Sequence, residues 1–204
     1  MKLMVISSPD PIAEEPQRIN QLFEAGLEYF HLRKPHYPKE QIRRLLLQIE
    51  QVHYHKIALH QHHDLAGECG INRLHYTEKS RGHTHPERWL KQQSEGYRLS
   101  TSVHTVEVLG SLPSCFAYTF FGPVFNSISK SGYQAVPVGP ALIEAAKTVP
   151  VIALGGIDAG NVLEIPKLKF DGAALLGSIW GSPEQALTTF IKIKEKWQTL
   201  AHTC

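Results

Sequence analysis

Cysteine is scarce in this chain of 204 residues. Cys69, Cys115 and Cys204 are odd in number, widely spaced and free of any CxxC pairing, which argues against a disulfide framework and a structural zinc site. Long apolar runs are missing too. No stretch is long enough to span a bilayer, and no charged segment followed by an apolar one opens the chain, so a cytoplasmic protein with no membrane partner is expected. Nor does charge of one sign accumulate. With 21 Lys and Arg against 19 Asp and Glu the formal charge is +2, and no basic run or aromatic-basic stripe offers a footprint for nucleic acid. Any anion bound should therefore be small.

No linker-like stretch divides the chain, and its length suits one good core, so a single domain over 1–204 is expected. Along it, short apolar runs alternate with segments of helical spacing. The strands are read as Lys2–Ser7, Glu28–Leu32, Lys56–His60, Asn72–Tyr76, Tyr97–Thr101, Phe116–Phe121, Val149–Leu154 and Phe170–Leu176. Between them lie helices such as Pro11–Gly26, Lys39–Val52, Pro86–Gln93, Pro140–Lys147, Gly160–Leu168 and Pro183–Leu200. Eight such units predict an all-parallel α/β sheet closed into a (β/α)₈ TIM barrel. The strands show little alternation, as expected when both faces are covered. An open doubly wound sheet is the competing architecture, but no GxGxxG follows the first strand.

Barrel enzymes carry their sites at the C-terminal ends of the strands. Those positions hold His31 and Arg33, His60 and Gln61, His75, Ser102 and His104, Ser127, Ser129 and Lys130, Gly155 and Gly156, then Gly177 and Ser178. Two features point to a phosphorylated ligand. In FGPVFNSISK (Phe121–Lys130) two hydroxyls and a cation follow a strand that breaks at Gly-Pro, and two further strands end in glycines whose amides suit an anion. Each loop alone is also what a plain turn looks like. Arg33 could clamp a phosphate or carboxylate, or pair with an acidic neighbour. Histidine after four consecutive strands could serve a transition metal or supply a base. No HxH pair has a third close ligand in sequence, so no metal site is expected, whereas one well-placed ring suffices for a base.

FGPVFNSISK, PVIALGGI, FDGAALLGSI, HLR after strand two and SVHT after strand five, in this order, resemble the thiamine phosphate synthase/TenI superfamily over Val5–Ile179. The resemblance implies a thiamin-biosynthesis barrel acting on hydroxyethylthiazole phosphate or its carboxylate. The synthase couples that thiazole to hydroxymethylpyrimidine diphosphate with Mg²⁺, and TenI-like members aromatise the carboxylate by tautomerisation. It further implies that Gly155, Gly156, Gly177 and Ser178 hold the thiazole phosphate. Ser127, Ser129 and Lys130 stand where the family's Thr-x-Thr-Lys run holds diphosphate, and Ser102 matches its serine after strand five.

Several positions depart from the pattern. His31 stands for the family's glutamine, Pro35 for its lysine, His60-Gln61 for its Asn-Asp, and Ser80 for its second acidic residue. Both carboxylates expected for Mg²⁺ are missing, and Mg²⁺ prefers hard anionic oxygen. The ion is expected only if a diphosphate substrate brings it. TenI's histidine base falls on Pro123, leaving His104, His75 and His31, in that order, as candidates to move a proton, with His60 and Arg33 among the substrate-binding groups. A non-catalytic binder of thiamin phosphate or its precursors is the alternative. A different phosphate-binding isomerase or lyase barrel is a weaker one, because clear Lys/Glu or Asp acid–base residues are not found at the strand ends. Barrels of this size often pair through side faces, so a homodimer is left open, with no patch in the sequence to localise it.

Overall fold

The computed structural model describes residues 1–126 and 139–200. Eight strands, β1 (Lys2–Ile6), β2 (Tyr29–Leu32), β3 (Ile57–Leu59), β4 (Arg73–Tyr76), β5 (Arg98–Val103), β6 (Phe116–Phe121), β7 (Val151–Leu154) and β8 (Gly172–Leu175), close in chain order into one parallel barrel. The seam is made by β1 pairing with β8, with Met4 opposite Ala174. This is the expected (β/α)₈ barrel. Among the described residues no helix is long and apolar enough to cross a membrane.

The core has two parts. Residues facing outward from the strands, such as Val5, Phe30, Leu32 and Leu175, pack under the helices. A smaller cluster of Met4, Ile6, Tyr118, Phe120, Ile152 and Ala174 fills the barrel interior. Gly172 on β8 leaves room for its neighbours on both sides: a Cβ there would overlap Lys2 O on β1 and lie 2.8 Å from Ile152 Cδ1 on β7. At the N-terminal end Lys2 Nζ sits 5.3 Å and 5.2 Å from the ring centres of Tyr29 and Tyr118, closing the floor. The β5–β6 ladder skips one residue: Leu99 pairs with Phe116 and Ser100 with Tyr118, leaving Ala117 unmatched. This bulge turns the phase of β6, so that Phe116 faces the helices while Tyr118 and Phe120 face inward.

Four expected elements differ. The helix expected at Lys39–Val52 ends at Leu46, whose carbonyl accepts the Tyr54 hydroxyl at 2.7 Å, and Gln51–Lys56 winds as 3₁₀. In place of a helix over Gly160–Leu168 there is one 3₁₀ turn, Val162–Glu164, because Pro166 lacks the N–H an α-helix needs there. β5 runs two residues further than Thr101, which places Ser102 within the strand. Finally, Glu78–Gly82 is a short helix started by Thr77, whose side chain accepts from Ser80 N–H.

Lys34, in the turn that follows β2, is buried. Its Nζ lies 2.6 Å from Glu15 Oε2 and donates to Asp10 O at 2.8 Å. Together with Ser7, whose hydroxyl donates to Arg33 O at 2.9 Å and accepts from Arg33 N–H at 2.8 Å, this pair fixes the turn after β2. Removing one partner of a buried ion pair leaves an uncompensated charge and costs about 3–5 kcal/mol. Glu15→Ala is therefore expected to destabilise the fold by about that amount in urea unfolding, and Glu15→Leu combined with Lys34→Met to recover most of it. Equal stability of Glu15→Ala and the parent would refute the role given to the pair.

Candidate functional site

The barrel interior changes character toward the C-terminal mouth. In register, His75 on β4 pairs with Ser100 on β5 and Ser100 with Tyr118 on β6, while His31 on β2 lies on the line through Ala58 to Arg73, two residues before His75. His60 follows β3 directly. His31 and His75 are 0% exposed, and His60 is buried. Burying imidazoles is tolerable only when their nitrogens find partners. His31 spans the lumen, with Nδ1 2.9 Å from His60 Nε2 and Nε2 2.8 Å from the Tyr118 hydroxyl. His75 bridges β5, with Nδ1 2.9 Å from Ser100 Oγ and Nε2 2.9 Å from Ser102 Oγ. Of these ring nitrogens only His60 Nδ1 lacks a hydrogen-bond partner among the described residues.

The remaining expected groups are placed as follows. Arg33 is partly buried beyond β2, and its charge acts on both His60 and His75. His104, the first choice to move a proton, is 49% exposed. Its Nδ1 lies 2.6 Å from Gly122 O and its Nε2 3.9 Å from Glu78, so its contacts are outside the buried set. Gly155 and Gly156 have φ of 102° and 66°, and a Cβ on either would come within 2.8 Å of Pro123 or Phe125. The Phe125 amide donates to Gly155 O at 3.1 Å. These glycines are thus required by the packing of the β6 and β7 turns, whatever else they hold. Gly177 opens the single turn Gly177–Trp180 after β8, and Ser178 Oγ is buried with no partner among the described residues. Ser127, Ser129 and Lys130 lie outside the described residues.

The positions where the resemblance expects Mg²⁺ carboxylates do not fit the ion. Gln61 spends its amide on Lys34, accepting from its N–H at 3.2 Å and donating to its carbonyl. Ser80 Oγ donates to Thr77 O and accepts from Thr77 Oγ1, each at 3.0 Å. The carboxylate of Glu78, two residues away, faces Arg81 and His104. One donor of each pair is neutral and already committed, and hard anionic oxygens are what Mg²⁺ requires. The three imidazoles themselves bring ligand nitrogens within 4.8 Å of one another. Yet His60 and His75 stack with ring centres 3.9 Å apart and planes 23° from parallel, so an ion in the plane of one ring lies well out of the plane of the other.

Tyr118, Ser100 and the Lys34–Glu15 pair were not singled out in the sequence. The available signal was a polar residue at an inward position of an otherwise apolar strand, as in Phe116–Phe121, and it becomes readable only once the bulge fixes which positions face inward.

Electrostatically the cluster is neutral. Burial pushes His31 down from 6.5 to about 3, with Arg73 adding to the effect. Burial, then neighbouring imidazoles and Arg33, holds His60 and His75 well below the same value. Burial pushes the Tyr118 phenol up to about 12, opposed by the neighbouring Ser100 hydroxyl. Below pH 6.5 the unfolded chain therefore takes up protons that the folded chain refuses down to about 3, so stability rises with pH across that window. Each ring contributes at most about 1.4 kcal/mol per pH unit. Urea unfolding is expected to show a marked loss of stability from pH 7 to pH 5, less steep in His75→Gln. A flat profile for the parent would mean that the rings are charged in the folded state.

With this geometry established, the chain can be set beside known proteins. A family model described as thiamine monophosphate synthase matches residues 3–179. The thiamine-phosphate synthase of Caldicellulosiruptor saccharolyticus is 24% identical over 190 residues, covering 89% of this chain and 82% of that protein. That of Staphylococcus carnosus is 33% identical over 94 residues, and the match spans 44% of each, less than half the relative's length. A crystal structure of thiamine phosphate pyrophosphorylase from Bacteroides thetaiotaomicron superposes with a TM-score of 0.77 at 29% identity, covering 96% of both chains. The chain belongs to the thiamine monophosphate synthase family.

Proposed function

We propose that this chain, acting as one barrel over 1–204, rearranges protons on a phosphorylated thiazole as the TenI-like tautomerases do, and has lost the metal-assisted coupling of the synthases. The observation that carries this reading is the pairing of two facts about the mouth. Gln61 and Ser80 are engaged in local hydrogen bonds where a diphosphate-bound Mg²⁺ would need carboxylates. Beside them stands a set of neutral imidazoles, hydroxyls and a phenol, groups suited to moving protons.

Coupling would require charge to develop on a leaving diphosphate, and that charge needs a cation or several fixed donors to hold it. A tautomerisation needs less: one carbon loses a proton and another, across the conjugated system, gains one. In this reading Arg33 and the amides around Gly155, Gly156, Gly177 and Ser178 bind the anionic groups of the thiazole. Ser127, Ser129 and Lys130 supply further anion contacts. Of the histidines expected to move the proton, His31 and His75 belong to the hydrogen-bonded set and His104 does not.

Purified protein should be incubated with the non-aromatic thiazole carboxylate phosphate, following the appearance of the aromatic ring by absorbance. It should also be incubated with thiazole phosphate, pyrimidine diphosphate and Mg²⁺. Aromatisation above background with no coupling is the expected result. Coupling at a rate exceeding tautomerisation would overturn the proposal, and tight binding by calorimetry without either reaction would establish the non-catalytic binder instead.

A further inference from the structure

The hydroxyl of Tyr118 has one hydrogen-bond partner among the described residues, His31 Nε2 at 2.8 Å. Ser100 stands beside Tyr118 in register, but its hydroxyl is engaged with His75 Nδ1 at 2.9 Å and lies 3.4 Å from Leu74 O. On its other nitrogen His31 meets His60, Nδ1 to Nε2 at 2.9 Å. His60 Nδ1 is buried with no partner among the described residues. Tyr118, His31 and His60 thus form a line of two hydrogen bonds with one end open.

Counting protons gives the line its direction. A neutral imidazole has one N–H and one lone pair, and a phenol has one O–H. Both rings are neutral, because burial holds His31 at about 3 and His60 well below its usual value. Three protons therefore serve two hydrogen bonds, and one donor is left over at an end. If His60 donates to His31 and His31 to Tyr118, the unused donor is the phenol O–H. That group is on a residue 3% exposed, whose ring lies over Lys2 toward the floor of the barrel, away from any ligand at the mouth. If instead Tyr118 donates to His31 Nε2, His31 donates from Nδ1 to His60 Nε2, and the unused donor is the N–H at His60 Nδ1. His60 directly follows β3 and, at 8%, is the most exposed of the three buried rings. A buried donor without an acceptor is costly wherever it stands, and only the second direction leaves it where a ligand can satisfy it.

We propose that Tyr118 and His31 hold His60 in the tautomer protonated on Nδ1, and that this fixed N–H, together with Arg33, recognises the carboxylate of the substrate. The inference deepens the tautomerase reading and rests on it for the ligand, whereas the direction of the line does not depend on it. The choice of carboxylate follows from position. In that reading the amides after β7 and β8 hold the phosphate, and β3 lies four strands from β7 in a closed barrel of eight, so His60 stands on the opposite wall. The cation that acts on it is Arg33. A guanidinium and a neutral N–H can share the two oxygens of a carboxylate, and the neutral ring avoids the like-charge repulsion that an imidazolium beside Arg33 would bring. His60 is then a donor that touches the substrate and not a base, and His31 and Tyr118 are positioning residues that act through it. His60 Nδ1 is covered in the structure, so a carboxylate reaches it with some opening of the mouth.

Two experiments test this assignment. In the full-length protein labelled with ¹⁵N-histidine, long-range ¹H–¹⁵N correlations report which nitrogen of each ring carries the proton. His31 and His60 are both expected on Nδ1, against the preference of a free neutral imidazole for Nε2. Either ring protonated on Nε2 overturns the proposal, whatever the protein turns over. Tyr118→Phe removes the source of the direction, and both rings are expected to move toward Nε2, a change that lost packing alone would not produce. Rings that stay on Nδ1 in a folded Tyr118→Phe overturn the part given to Tyr118.

Calorimetry then compares the aromatic thiazole carboxylate phosphate with thiazole phosphate, which lacks the carboxylate. The parent is expected to bind the first about 10-fold more tightly, the scale of one hydrogen bond to a charged group. His60→Gln, whose amide reaches the place of Nε2, is expected to lose that preference, and His60→Asn, whose amide reaches the place of Nδ1, to keep most of it. Equal binding of the two compounds by the parent, or an undiminished preference in His60→Gln, overturns the carboxylate assignment. If His60→Gln fails to fold, the labelled parent decides: its His60 Nδ1 proton is expected to move downfield with the carboxylate compound and not with thiazole phosphate, and the same response to both overturns the assignment. Preferential binding without turnover refutes the tautomerase reading alone. If the parent binds neither compound, the thiazole reading and the carboxylate assignment fall together, and the ring tautomers still decide the direction of the line.

Discussion

A polar atom inside a closed barrel has no water to fall back on, and this constraint governs the molecule. The lumen of β1–β8 carries three imidazoles, a phenol and two serine hydroxyls. An unpaired group there costs about 1–3 kcal/mol, which is comparable to a good fraction of the stability of a domain. The fold meets the constraint with two sets of partners, His60, His31 and Tyr118 in one and Ser100, His75 and Ser102 in the other. The register of β4, β5 and β6 sets His75, Ser100 and Tyr118 side by side, and His31 reaches across from β2. Neutrality follows from the same cause, since burial disfavours the charged form of every ring.

The apolar core permits this arrangement by lying elsewhere. Among the described residues, most of the buried hydrophobic side chains sit between the strands and the helices, and the buried cluster inside the barrel is Met4, Ile6, Tyr118, Phe120, Ile152 and Ala174. Stability and chemistry are thereby assigned to opposite faces of the same strands. The Lys34–Glu15 pair belongs to neither. It is a buried charge pair on the rim that, with the Ser7 clamp, fixes the turn from which Arg33 faces the histidines.

Much of this architecture was legible from residue order. Eight apolar runs separated by helical spacing give the strand count, and closure follows from the count. Of the histidines that recur after successive strands, His31, His60 and His75 do come together in the lumen. What was not legible has a common physical origin: the decisive contacts join residues 29, 87 and 27 positions apart, His31 to His60, His31 to Tyr118 and His75 to Ser102. Nothing local to Tyr118 marks it as the partner of His31. Its place just after a strand ranks His104 first among the histidines, but the extension of β5 to Val103 carries it past the lumen to the Gly122 carbonyl. Gly155 and Gly156 looked like anion-binding glycines, and the close approach of Pro123 and Phe125 supplies a steric reason for them that only coordinates reveal.

The unmatched Ala117 has a consequence for how such a barrel could change over evolutionary time. The surplus residue is absorbed at the bulge, so the inward faces of Tyr118 and Phe120 depend on the pairing of Tyr118 with Ser100 and not on Ala117 itself. Losing Ala117 would restore plain alternation from Phe116 to Tyr118 and leave the phenol in the lumen, whereas losing a residue beyond the bulge would turn the rest of the strand over. A barrel with such a spare position can shed one codon in β6 and keep its interior chemistry.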